Sequence, residues 1–373
     1  MYDVNEKRIV DLFRKLVETD SPSLGERQLC DTLRKELDKL GVEYYEDSAG
    51  EKIGGNSGNI YVCVEGDKAL PPILFSAHMD TVEPALNKKL IIDEDGKMHS
   101  DGTTVLGSDD FAGVTSILEA LSVIKENGLS HRPLEILFSV CEEHHCCGAA
   151  FADYDNIKSK EAYVFDLDGS AGTACYAAPT IISFKAEFIG RSAHAGLSPE
   201  LGIHAIRAAS FAISKIECGK LGDGTTVNIG TIKGGTADNI VPDYCAFTGE
   251  IRSYDDSKAT ERLEFVNAIL KDAAEAFGAE VKIESERCIV AYETDVNHAV
   301  VKRFTKACED MGIEPKLVRS FGGSDNNTFA EKGIKGIVLS TAMNDCHTTS
   351  EWTTIEDLKG AATLALTLML SEE

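Results

Sequence analysis

Five short segments carry histidine and acidic residues in combinations able to hold metal ions or move protons. They are Ser76-Ala77-His78-Met79-Asp80, Gly107-Ser108-Asp109-Asp110, Cys141-Glu142-Glu143, Asp166-Leu167-Asp168-Gly169 and Asp345-Cys346-His347. Imidazole nitrogen and carboxylate oxygen suit zinc, cobalt and manganese, and a carboxylate beside a water can act as general base. Each segment alone has a plainer reading: His-x-Asp is usually a surface pair, paired acids are usually solvated or cap a helix, and Asp-Gly marks a turn. Their position sets them apart, because each follows an apolar, strand-like run. Ligand sites of open α/β sheets gather outside the carboxyl ends of strands. Carboxylates gathered there repel one another, and a pair of divalent cations is the economical way to neutralise them.

The elements that must position these residues are legible in the hydrophobic pattern. Ile9, Val10, Phe13, Leu16 and Val17 recur at helical spacing, as do Leu29, Leu33, Leu37 and Leu40 in a second helix, with Ser23 and Glu26 read as a capping box before it. Short β-branched or aromatic runs at Ile60–Val64, Ile73–Phe75, Leu134–Val140 and Ala162–Phe165 read as buried strands around a helix at Val114–Ile124. Strands alternating with helices predict an α/β layer with much parallel pairing. From Ala178 the order becomes strand (181–188), helix (202–216), two strands (226–232, 244–251), helix (258–277) and strand (279–286), an α+β unit. A helix (298–311), a strand (337–340) and a last helix (355–370) then resume the first pattern. The expected organisation is a discontinuous catalytic domain, residues 1–177 and 290–373, with a smaller domain inserted at 178–289.

Composition narrows the partners. The 373 residues fit about two domains of ~100–200 residues each. A net charge of −25 repels phosphate backbones and anionic lipid, so neither nucleic acid nor a membrane surface is an expected partner. The N-terminal stretch mixes charged and apolar residues and does not read as a signal peptide. With no stretch approaching the ~20 apolar residues of a membrane span either, the cytoplasm is the expected compartment, and the eleven cysteines, which form no C-x-x-C pair, are expected to stay reduced there.

The motifs SAHMDTV, SDGTTVLGSDDFAG, CEE, DLDG, GRSAHAGLSPELGIHAI, NIVPDYCAFTGEIRS and GGSDNN, spread over essentially the whole chain, resemble the di-zinc metallopeptidases that include carboxypeptidase G and the succinyl-diaminopimelate and acetylornithine deacylases. SAHMDTV with DGTTVLGSDD looks most like the peptidase T branch, the tripeptide aminopeptidases. The resemblance implies a zinc-peptidase catalytic domain, a mixed sheet flanked by helices, with an inserted α+β lid and dimerisation domain. It implies two divalent ions, zinc with cobalt or manganese as substitutes. Asp109 would bridge them, His78 and Asp168 would complete one position, and Glu143 and His347 the other. Asp80 would bind the far nitrogen of His78, Glu142 would be the general base, and the Asp109–Asp110 peptide would be cis. His194 would approach the substrate carbonyl, in dimeric relatives from the neighbouring subunit. Asn239, Arg252, Gly323 and Ser324 would contact a small peptide substrate, Arg252 through its carboxylate.

Two departures from that pattern bear on specificity. His144, His145, Cys146 and Cys147 follow the paired glutamates where an apolar residue and glycine are usual, and are read as helix residues. Phe111 stands where lysine is common. Two further readings stay open: a deacylase or carboxypeptidase of the same fold acting on N-acyl amino acids or blocked peptides, and an inactive metal-containing peptide-binding protein.

Overall fold

The computed structural model describes residues 2–372. The chain forms two compact units, one of Met1–Ala177, Glu293–Ser320 and Ser324–Glu373, the other of Ala178–Tyr292 and Phe321–Gly323. The first opens with helices α1 (Glu6–Val17) and α2 (Arg27–Leu40) and strands β1 (Glu43–Glu46), β2 (Ile60–Val64) and β3 (Ile73–His78). Helix α3 (Ser108–Asn127) and strands β4 (Leu134–Ser139), β5 (Glu161–Asp168) and β6 (Thr173–Ala178) follow. The second unit contains β7 (Thr180–Ile189), α4 (Ala205–Lys215), β8 (Thr225–Gly234), β9 (Tyr244–Ser253), α5 (Asp256–Phe277) and β10 (Glu280–Ile289). The first is then completed by α6 (Ala299–Asp310), β11 (Lys316–Arg319), α7 (Asp325–Glu331), β12 (Lys335–Met343) and α8 (Ile355–Leu370).

The main sheet of the first unit runs β1-β2-β4-β3-β5-β12-β6, with β11 also paired to β6. Its centre, β4-β3-β5-β12, is parallel throughout. Every residue of β3 and β4 is buried, as expected of parallel strands covered on both faces. Helix α3 is buried from Ser108 to Ile124, and it packs on β3 and β12 and between α1 and α8. Fully buried side chains such as Phe75, Phe111 and Phe165 each contribute ~1.5–3 kcal/mol. Gly113 lets α3 approach β5, because a Cβ there would lie 2.5 Å from the Phe165 carbonyl oxygen.

The second unit is an antiparallel sheet in the order β8-β9-β7-β10. Alternate residues of β7 turn Phe184, Ala186 and Phe188 into a core with Phe247 of β9 and the inner faces of α4 and α5.

Three local readings of the sequence change. Ser23 does not cap α2; its hydroxyl donates to Asp80 Oδ2 at 2.7 Å, and α2 starts after Glu26 without a side-chain cap. Helix α4 starts at Ala205 rather than Gly202, because Ile203 is held in a bridge to Arg191 and His204 takes the cap position. Strand β5 runs on from Phe165 to Asp168. Among the described residues, no helix is long and apolar enough to cross a membrane.

Candidate metal centre

Four adjacent parallel strands deliver the site from their carboxyl ends. His78 is the last residue of β3, Glu142 and Glu143 follow β4, Asp166 lies near the end of β5, and His347 sits in the loop after β12. Asp109 joins them from the start of α3, where Asp109 and Asp110 are not helical and the peptide between them is cis.

Two of the three groups of potential ligands among the described residues form here, each with its ligand atoms within 4.8 Å of one another: His78, Asp109 and Asp166, and Asp109, Glu143 and His347. Asp109 belongs to both. Its Oδ1 lies 3.0 Å from His78 Nε2, and its Oδ2 3.1 Å from His347 Nε2. His347 Nε2 is also 3.1 Å from Glu143 Oε2, and His78 Nε2 is 3.8 Å from Asp166 Oδ1.

Asp168, the ligand expected by resemblance, is not brought to either group. It lies two residues beyond Asp166 on the same strand, ~6.6 Å further at ~3.3 Å per residue, and is exposed. Asp166, with a side chain 11% exposed, holds the place level with His78.

Asp80 organises the neighbouring turn. Its Oδ1 accepts from the Glu142 N–H at 2.9 Å and its Oδ2 from the Glu143 N–H at 3.2 Å. His78 Nδ1 meets the Asp80 backbone oxygen at 2.9 Å, closer than the Asp80 carboxylate at 3.5 Å. With that nitrogen donating, a neutral His78 turns the lone pair of Nε2 toward Asp109 Oδ1.

Two acceptors 3.0 Å apart need a cation or a proton between them. Ligands ~2.0–2.1 Å from one zinc stand roughly 2.8–3.4 Å apart at angles from 90° to tetrahedral, and the three shortest contacts fall in that range. Glu143 Oε1 is buried with no hydrogen-bond partner. The residues therefore fit a pair of divalent cations.

The electrostatics agree. Burial, followed by neighbouring carboxylates, pushes the Glu142, Glu143 and Asp166 carboxyls above their ordinary range. Burial opposes the charge of Asp109 too, but hydrogen bonds to His347 and His78 hold its carboxyl low. Hydrogen bonds to Asp109 and Glu143 push the His347 imidazole up to about 11. Acids this buried and this close call for positive charge. Among the described residues, five of the eight non-glycine residues with positive φ lie in the two loops carrying Glu142–Glu143 and His347, namely Cys141, His145, Cys146, Asp345 and His347, and a sixth, Ala342, lies near the end of β12. Such strain collects where side chains must be aimed.

Further residues surround Glu142. The Cys146 thiol donates to Glu142 Oε1 at 3.3 Å, and Cys146, Glu142 and Asp325 form a fully buried cluster. Asp325 also accepts from Ser139 Oγ. His144 and His145 join no ligand group and precede the short helix Cys147–Ala150 rather than lying in it. Phe111 is buried, with Lys88 Nζ 5.5 Å from its ring centre. Glu351, at the end of the His347 loop, accepts four hydrogen bonds from the turn that carries Asp109.

The remaining expected residues belong to other parts of the fold. Ser324 is buried, and its hydroxyl caps α7 in a reciprocal arrangement with Asn327. Gly323 is in the second unit, where a Cβ would meet Ile289 Cδ1 at 2.1 Å, so a larger residue there would require the Ile289 side chain to shift. His194 is exposed, and its Nδ1 accepts from the N–H groups of Gly196 and Leu197, both at 3.1 Å. Asn239 holds the same loop through its carbonyl, which accepts from Ala195 at 2.9 Å. Both guanidinium edges of Arg252 are engaged: Nε and Nη2 donate to Glu250 at 2.8 and 2.9 Å, and Nη1 to the Phe321 carbonyl at 2.7 Å. Glu250 escaped notice in the sequence, although residues two apart in a strand share a face.

Known proteins share this architecture. A model of the peptidase dimerisation domain matches residues 176–277, and one of peptidase family M28 matches residues 59–181. The chain is 36% identical to the uncharacterised protein YqjE of Bacillus subtilis over 98% of each chain. Among solved structures, a tripeptidase from Staphylococcus aureus superposes with a TM-score of 0.95 at 32% identity, over 99% of this chain and 98% of its own. The aminopeptidase PepT from Bacillus cereus gives 0.90 at 35% identity over 98% of each chain.

Proposed function

The chain belongs to the peptidase T-like branch of the metallopeptidases and hydrolyses peptide bonds, and on that premise we propose that it is an aminopeptidase releasing the N-terminal residue of tripeptides and similar small peptides. One observation carries this reading: Asp109 is shared between His78 with Asp166 and Glu143 with His347, beside the buried Glu142. His78, Asp109 and Asp166 would hold one divalent cation, and Asp109, Glu143 and His347 a second, zinc by the nature of the donors. Such ions lower the pKa of water and polarise a carbonyl group.

The protein's own groups supply the rest. Glu142 is the general base: it takes a proton from the attacking water and passes it to the leaving amine. The Cys146 thiol fixes one of its oxygens and the Asp80 carboxylate fixes its backbone. In the second unit, acceptance at Nδ1 leaves the His194 proton on Nε2, an outward donor suited to an oxyanion. Arg252 recognises the substrate carboxylate, which must displace Glu250 from the guanidinium. Asn239 and Gly323 shape the loops around the peptide, and Ser324 acts through the α7 cap. The matched dimerisation domain supports a homodimer formed through the second unit. The eleven cysteines, none of them in a disulfide among the described residues, support a reducing compartment, the cytoplasm.

Free tripeptides, N-blocked peptides and N-acyl amino acids assayed side by side test the assignment. Release of the N-terminal residue from free tripeptides is expected, and turnover of blocked substrates alone would make the enzyme a deacylase or carboxypeptidase. Glu142→Gln is expected to lower turnover by ~10²–10⁴ with metal content retained.

A further inference from the structure

We infer that Glu351 is a positioning residue of the metal centre: its carboxylate caps α3 from a distance, sets where Asp109 stands, and ties the Asp109 turn to the loop carrying His347. The inference rests on the two-metal reading above. Helix α3 begins without a cap of its own, since Gly107 occupies that position at φ +82° with no side chain to offer. The first N–H groups of a helix have no partner within it. Glu351 Oε2 accepts from the N–H groups of Leu106 at 2.7 Å and Gly107 at 2.8 Å. Its Oε1 accepts from Ser108 Oγ at 2.6 Å and the Asp109 N–H at 3.0 Å. Four donors thus converge on a side chain that is 1% exposed.

Capping alone does not account for this residue. A serine, threonine or aspartate in place of Gly107 would cap the helix locally, without adding a fully buried carboxylate beside a site already crowded with acids. A remote cap adds connection. Glu351 stands four residues after His347, in a loop closed by reciprocal backbone hydrogen bonds between Asn344 and Trp352 at 3.1 and 3.0 Å. Trp352 Nε1 braces the same loop against Asp345 Oδ2 at 2.9 Å. One closed loop therefore holds Asp109 twice, by its N–H through Glu351 and by its carboxylate through His347. Displacing the turn would move the one residue common to both ligand groups.

Glu351→Gln and Glu351→Asp test this. An amide keeps one acceptor oxygen and turns an N–H₂ toward donors; aspartate keeps the charge but withdraws it by one methylene. The readouts are divalent-metal affinity of the metal-stripped full-length protein by chelator competition, kcat and KM on a tripeptide at saturating zinc, and the melting temperature of the metal-free protein. Glu351→Gln is expected to bind metal ~10–100-fold more weakly, the usual effect of losing a partner behind a ligand, with kcat lowered and KM unchanged. Glu351→Asp is expected to fall between. Wild-type metal affinity and kcat in Glu351→Gln, even with a lower melting temperature, would reduce Glu351 to a structural cap and overturn the inference. If Glu351→Gln does not fold, wild-type values in Glu351→Asp overturn it equally. His347→Ala separates the two readings: retention of both metals there refutes the metal map, whereas loss of metal there with wild-type binding in the Glu351 variants refutes only the role of Glu351.

Discussion

Asp166→Asn and Asp168→Asn, made as a pair, give the sharpest test of the metal centre, because resemblance favours one acid and geometry the other. The Asp166 side chain is 11% exposed with Oδ1 3.8 Å from His78 Nε2, while Asp168 is exposed. Unit charges ~4 Å apart attract by ~4 kcal/mol at an effective dielectric of ~20, and a divalent ion doubles that. Desolvation of the carboxylate and the remaining amide oxygen offset much of it. A loss of at least ~3 kcal/mol remains for Asp166→Asn, more than 100-fold in affinity at one site. Asp168→Asn is expected to stay within ~0.5 kcal/mol, as surface substitutions do. Chelator competition with metal-stripped protein measures both values, and elemental analysis counts the ions. The metal-free protein should respond with the opposite sign. Burial, and then the nearby Asp109, Asp110 and Glu143, push the Asp166 carboxyl up, so its neutral isostere should raise the melting temperature of the metal-free form. Loss of metal in Asp168→Asn with two ions retained in Asp166→Asn would refute the geometric assignment.

Two other outcomes follow from the same groups. His194→Ala should lower kcat by ~10²–10³, as loss of an oxyanion donor does, with metal content unchanged; an unaltered kcat would remove His194 from the mechanism. Metal-free protein should lose stability as pH rises above ~6.5, the ordinary histidine value. The folded-state pKa of His347, pushed up to about 11 by Asp109 and Glu143, lies above its unfolded value, so its contribution is complete below ~6.5 and disappears as pH climbs toward 11. The Glu142, Glu143 and Asp166 carboxyls, raised as well, act in the same direction as they ionise. Metal affinity should rise over this range, because the ligands bind deprotonated. Melting curves without metal would contradict this if stability increased from pH ~6 to ~9.

What could be read from the sequence depended on whether a residue's surroundings were local. His78, Glu142, Glu143 and His347 each follow an apolar run, and a parallel strand buried on both faces leaves such a run whatever its partners. The choice between Asp166 and Asp168 was not local: both acids share a face, and only the pairing of β5 with β3 and β12 shows which stands level with His78. Ser324 looked like a binding-loop serine because a cap and a ligand contact use the same hydroxyl. Glu351 left no local signal, since its partners lie more than 240 residues earlier in the chain. The pairing of Glu250 with Arg252 was legible in principle from strand alternation.

The interruption of the first unit by the second has a consequence for biosynthesis. His78, Asp109, Glu143 and Asp166 all precede the inserted segment, and His347 follows it. Between Asp166 and His347 a ribosome adds about 180 residues, roughly 10–40 s of translation at ~5–20 residues per second. For that interval the nascent chain carries a cluster of acids with one imidazole, and neither the second ligand group nor the Glu351 clasp exists. A chain broken off before residue 347 would lack the imidazole of the second proposed ligand group.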